Sequence, residues 1–130
     1  MPRSGVVSGS IVCDAGGVLA VCGALTGAVP ENGEILALDW TAVTLGRFLA
    51  ARQQGRDRLI EVELGLALAA VHEWFPVRTL VARTLRRAGP NAVDALDSWS
   101  ALILAEQLEL PLFTASDEVH SERIDVLRPW

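Results

Sequence analysis

Short apolar runs alternate along this chain with longer segments of helical periodicity. Ser10-Ile11-Val12-Cys13 reads as a buried strand that stops at Asp14, and Ala15-Gly16-Gly17 as a tight passage into the apolar stretch Val18 to Leu25, which is predicted helical. Pro30-Glu31-Asn32-Gly33 marks a turn, and Glu34-Ile35-Leu36-Ala37-Leu38 a second short strand. From Asp39 the apolar positions Val43, Leu45, Phe48 and Leu49, with Arg47 and Arg52 outward, predict an amphipathic helix that ends near Gln54-Gly55.

Residues 59 to 74 form a further Ala- and Leu-rich helix candidate, which Pro76 separates from another running from Leu80 to Arg87. Asn91, with Asp94 three residues on, looks like a capping box. The helix it opens passes through Trp99, Leu102, Ile103 and Ala105 to about Leu108. Leu110 to Ala115 and Ile124 to Leu127 are the last strand candidates. Strands without polar alternation, separated by helices, predict an α/β fold with a central parallel sheet covered on both faces.

The length of 130 residues and a hydrophobic fraction of 51% suit one domain, here residues 10 to 130 behind a short polar leader over residues 1 to 9. The formal charge of -5 excludes a protein held to nucleic acid by a diffuse basic surface, though not a local basic patch. All eleven basic residues are arginine, so chemistries that need lysine, such as the phosphate loop and Schiff bases, are excluded. Cys13 and Cys22 lie in apolar surroundings and read as buried reduced thiols, with neither disulfide nor zinc expected. Asp14 interrupts the apolar run near the N-terminus, and Val21 before Cys22 departs from the lipoprotein pattern, so a cytoplasmic protein without a membrane segment is expected.

Ligands of open parallel sheets bind beyond the carboxyl ends of the strands. Asp14 and Asp117 each follow a strand candidate, Asp39 follows another, and Asp94 and Asp97 begin a helix, so these five can face one crevice. Such a cluster repels itself unless protons or a cation compensate, and hard oxygen donors point to Mg²⁺ or Mn²⁺, which could activate water for in-line displacement at phosphorus. Each residue also has an ordinary structural reading: an Asx turn for Asp14, a helix N-terminus for Asp39, the capping box for Asp94 and a turn for Asp117. Asp97 has no capping duty in this reading. His72, inside an apolar helix, His120, in a polar tail, and the four tryptophans read as core or surface residues. Arg78, Arg83, Arg86 and Arg87 suit RNA phosphates or a solvated helix face equally.

Phe75-Pro76-Val77-Arg78-Thr79-Leu80, Leu85-Arg86-Arg87, Asp94-Ala95-Leu96-Asp97 and Leu104 to Ala115, together with Ile11-Val12-Cys13-Asp14-Ala15 and the ending Asp125 to Trp130, resemble in order and spacing the PIN-domain family, and within it the VapC-type toxins of toxin-antitoxin pairs. The resemblance implies a PIN-like three-layer fold and a Mg²⁺- or Mn²⁺-dependent endoribonuclease, usually a homodimer, silenced by a small antitoxin protein. It makes Asp14 the first acid, puts Asp39 where the family usually has Glu, leaves Asp94 or Asp97 as the third, and brings Asp117 nearest to the fourth. The chain departs from the pattern in a short segment between Asp14 and Asp39, in Asp for Glu at position 39, and in Ser116 where the last acid is expected. A catalytically reduced PIN-like protein-binding module is therefore the alternative expectation.

Overall fold

The computed structural model describes residues 9–22, 33–90 and 95–129, so the expected polar leader, the turn at residues 30 to 32 and the capping box formed by Asn91 and Asp94 lie outside the described residues. Five strands build one parallel sheet: β1 (Ile11–Cys13), β2 (Ile35–Leu38), β3 (Glu73–Phe75), β4 (Leu112–Phe113) and β5 (Val126–Leu127), in the order β3-β2-β1-β4-β5. Five helices are described with it: α1 (Ala15–Cys22), α2 (Thr41–Arg52), α3 (Asp57–Ala70), α4 (Val81–Ala88) and α5 (Leu96–Leu108). The result is the expected three-layer α/β architecture. No helix among the described residues is long and apolar enough to cross a membrane.

The three central strands are apolar at every position because both of their faces are covered. Successive side chains alternate between two cores. Val12, Leu36, Leu38 and Leu112 point into one core with α5, Leu80 and Val119. Ile11, Cys13, Ile35, Ala37 and Phe113 point into the other with α1 and with Leu45 and Ala67 of α2 and α3. Helix α5 is buried continuously from Trp99 to Glu106, so it carries no apolar stripe; a helix covered on all sides has no use for one. It ends at Glu109, whose φ of 55° reverses the chain while Leu110 N–H bonds back to Ala105 O (3.0 Å), and the chain then enters β4.

Several local expectations change. Residues 73 to 75 form β3 rather than the end of a helix, because Leu36, Ala37 and Leu38 offer an open strand edge to which Glu73, Trp74 and Phe75 pair in register. Tertiary pairing overrides the helical tendency there. His72 consequently lies in the link between α3 and β3, exposed, with Nδ1 accepting the Ile35 N–H (3.0 Å). Gly16 and Gly17 belong to the first turn of α1 instead of a turn before it. A Cβ on Gly17 would stand 2.1 Å from Phe113 O, so the bare backbone is what lets α1 lie against β4. Cys13 is buried as expected, but Cys22, at the last position of α1, is exposed; both thiols are free. Leu45 and Leu49 are buried on the inner face of α2 as expected, with Thr41 beside them, whereas Val43 and Phe48, expected on the same face, are 73% and 43% exposed.

Candidate active site at the carboxyl edge of the sheet

The first turns of three helices meet the ends of two strands at one place. Asp14 directly follows β1, Thr114 directly follows the adjacent β4, Thr41 and Ala15 open α2 and α1, and Asp97 and Ser98 lie in the first turn of α5. Parallel pairing puts the carboxyl ends of β1 and β4 side by side, and the helices that follow or cover them bring their N-termini to the same edge.

Asp14 is 1% exposed. Its Oδ1 accepts the Gly17 N–H (2.7 Å), a helix-capping bond at the start of α1, and its Oδ2 accepts the hydroxyls of Ser98 (2.6 Å) and Thr114. Thr114 Oγ1 in turn accepts Ser116 N–H (3.0 Å), which leaves the hydroxyl proton to Asp14. Asp97 Oδ1 accepts the Thr41 hydroxyl (2.6 Å), and Oδ2 accepts the N–H of Ala15, the first residue of α1 (2.8 Å). The two carboxylates therefore share the N-terminus of α1, whose unpaired N–H groups favour negative charge.

Those bonds do not neutralise the pair. Burial pushes the Asp14 carboxyl above its usual range, against the opposing bonds from Ser98, Thr114 and Gly17. Burial likewise pushes Asp97 up to about 6, the bonds from Thr41 and Ala15 opposing and the charge of Asp14 adding to the rise. Among the described residues no arginine forms an ion pair with either acid.

The other expected acids are placed differently. Asp39 is exposed just past β2, and its Oδ1 accepts Val77 N–H (3.1 Å); it does not cap α2, whose N-terminus has no side-chain cap. Asp117 is exposed in the loop after β4. That loop is held by Arg128, whose guanidinium donates to Ser116 O (2.9 Å) and Val119 O (2.6 Å). Asp94 lies outside the described residues. The sheet thus brings Asp14 and Asp97 together, with Asp39 and Asp117 on the same edge but outside the pair.

Among the described residues no three acidic, histidine or cysteine side chains gather as a metal cage. Mg²⁺, however, is commonly held by one or two carboxylates, several waters and the substrate phosphate. Asp97 meets that requirement: each oxygen carries one donor and keeps a free lone pair, and the residue lines an open cleft. Asp14 Oδ2 is saturated by its two hydroxyls, so Asp14 contributes mainly charge from behind. Asp14, buried, and Asp97, half-buried at the cleft, have no cation opposite among the described residues, and such a pair fits a hard divalent ion with Asp97 as the open ligand.

Thr41, Ser98 and Thr114 escaped the sequence reading. Their signal was slight: each is a hydroxyl residue beside a strand end or helix start, positions where such residues usually serve the local backbone. The sequence matches no protein-family model and no curated protein.

Proposed function

We propose that the domain is a Mg²⁺- or Mn²⁺-dependent endoribonuclease of PIN type, acting in the cytoplasm as the toxin of a toxin-antitoxin pair, with the Asp14 and Asp97 pair as its working site. The observation that supports it is the pair itself: two carboxylates converging on the carboxyl edge of a parallel sheet with no basic partner among the described residues, one of them opening to a cleft. Asp97 would hold the ion, oriented by Thr41 and by the first N–H of α1. Asp14, fixed by Ser98, Thr114 and Gly17, supplies the second negative charge. The ion supplies charge stabilisation at the phosphodiester and eases ionisation of the attacking water. Asp39 and Asp117, exposed on the same edge, remain available to the substrate side of the site.

A second reading, a catalytically reduced PIN-like module that works by protein association, is favoured by the saturation of Asp14 and by the separation of Asp39 and Asp117 from the pair. Val43, Phe48, Leu59, Val62 and Leu66, all exposed on α2 and α3, would give such a module its contact surface, whether for an antitoxin or for a second copy.

Incubation of total RNA with the purified protein and Mn²⁺ or Mg²⁺, beside an EDTA control, Asp14→Asn and Asp97→Asn, decides between them. Metal-dependent cleavage that drops at least a hundredfold in Asp97→Asn is the expected result. Intact RNA from a folded protein that takes up no Mn²⁺ by calorimetry would sink the enzyme and leave the binding module.

A further inference from the structure

A groove adjoins the acid pair, with a volume of about 350 Å³, within the range of small-ligand clefts. One wall is the outer stripe of α2, Val43, Thr44, Arg47 and Phe48, together with Trp40 just before it; the other is Leu96 and Asp97. This explains why α2 leaves Val43 and Phe48 in solvent. The Trp40 ring is held in place, its Nε1 donating to the buried Ser100 Oγ (3.1 Å), whereas Phe48 and Arg47 are exposed, and Arg47 forms no ion pair among the described residues.

Two aromatic rings, a guanidinium without an ion pair among the described residues and an acid, all lining one groove, are complementary to a flat ring attached to a phosphate. We propose that this groove seats one unpaired base of a single-stranded RNA, stacked on Phe48 beside Trp40, with Arg47 on the adjoining phosphate so that the neighbouring phosphodiester lies at Asp97. The inference rests on the ribonuclease reading for its orientation toward Asp97. The recognition itself is physical: every base has a stackable face, only unpaired bases expose it fully, and a single arginine is enough to fix the phosphate on one side. A duplex would be excluded, because its bases stack on one another.

Fluorescence anisotropy of a labelled single-stranded oligoribonucleotide, measured in EDTA so that no cleavage occurs, tests this. Phe48→Ala is expected to weaken binding roughly tenfold, as loss of one stacking surface does. Arg47→Gln should lower the slope of log K against log salt by about 0.7, the contribution of one phosphate contact on a single strand. Arg58→Gln, at an exposed position of α3, should leave both unchanged, and the same sequence as a duplex should bind more weakly. Wild-type affinity in Phe48→Ala with an unchanged melting temperature, equal binding of duplex and single strand, or no binding of the oligonucleotide by the folded protein would each overturn the proposal. Binding that responds to Phe48 and Arg47 without any metal-dependent cleavage would retain the groove and remove the nuclease; cleavage with no response to either residue would do the reverse.

Discussion

Helix α5 carries an acid near each end, Glu106 buried and Asp97 half-buried, and the two are treated in opposite ways. Glu106, 4% exposed and about 13 Å along the axis from Asp97, receives a two-pronged bond from Arg87 (2.9 Å for each), the Ser121 hydroxyl (2.5 Å) and a longer approach from Arg123 (4.0 Å). Burial alone would raise its pKa, but the bonds from Arg87 and Ser121 and the charges of both arginines bring it below the usual range. Asp97 receives, among the described residues, a hydroxyl and a backbone N–H, and burial pushes it up to about 6. An acid matched by arginine fastens α4 and the segment around Ser121 to α5. An acid left without a cation keeps an unmet demand for positive charge, the property on which the proposed site rests.

Removing the fastening should have the largest effect. Glu106→Gln loses the charge and the two-pronged geometry that Arg87 requires, and urea unfolding at neutral pH should show a loss of about 2–3 kcal/mol. Asp97→Asn at the other end should destabilise little, and a loss as large as that of Glu106→Gln would erase the distinction.

The pH dependence of the two ends is opposite in sign, and comparable in size. Because the folded pKa of Asp97 is raised, the native state binds its proton more tightly than the unfolded chain does. Stability is therefore lost as pH rises from about 4 to about 6, by up to about 3 kcal/mol, and is flat above. Glu106, with a lowered folded pKa, contributes stability that is present above its unfolded value of about 4.5 and lost as pH falls through the folded one. Unfolding free energies across this range should show the decline in the wild type and a smaller decline in Asp97→Asn. An unchanged decline in that variant would place the responsible group elsewhere.

A divalent cation should act on one end only. Mn²⁺ at a hundred times its dissociation constant would add about 2.7 kcal/mol to wild-type stability and nothing to Asp97→Asn, as read by the thermal midpoint. Equal stabilisation of both proteins would move the ion away from the pair. Smaller still, Ser98→Ala should cost about 1 kcal/mol by removing one hydroxyl from buried Asp14. Arg123→Gln should cost at most about 0.5 kcal/mol, since its 4.0 Å approach to Glu106 comes from a mostly exposed side chain.

The strands β1, β2 and β4 were legible because a run apolar at every position, bounded by Asp, Gly or Pro, suits few places other than the middle of a parallel sheet. Asp14 was legible for the same reason, as the first charge after such a run. β3 was not, because the two aromatics of Glu73-Trp74-Phe75 make too short a signal at the end of an Ala- and Leu-rich helical run, and the strand is completed by the edge that β2 presents. Nor were the exposed positions Val43 and Phe48, since periodicity reports which residues are apolar and not which apolar face finds a partner.

The sequence by itself thus determined the layered α/β architecture and the presence of aspartates at strand ends and helix starts, because these follow from local pattern and chain direction. Only the tertiary structure decided which acids lie together. Asp97 meets Asp14 through the first turn of α1, residues distant in the chain, and the hydroxyls of Thr41, Ser98 and Thr114 complete the network from three separate elements. Whether a buried carboxylate faces an arginine or a hydroxyl is set by which helix ends the sheet brings together, and that choice separates Glu106 from Asp97 on a single helix.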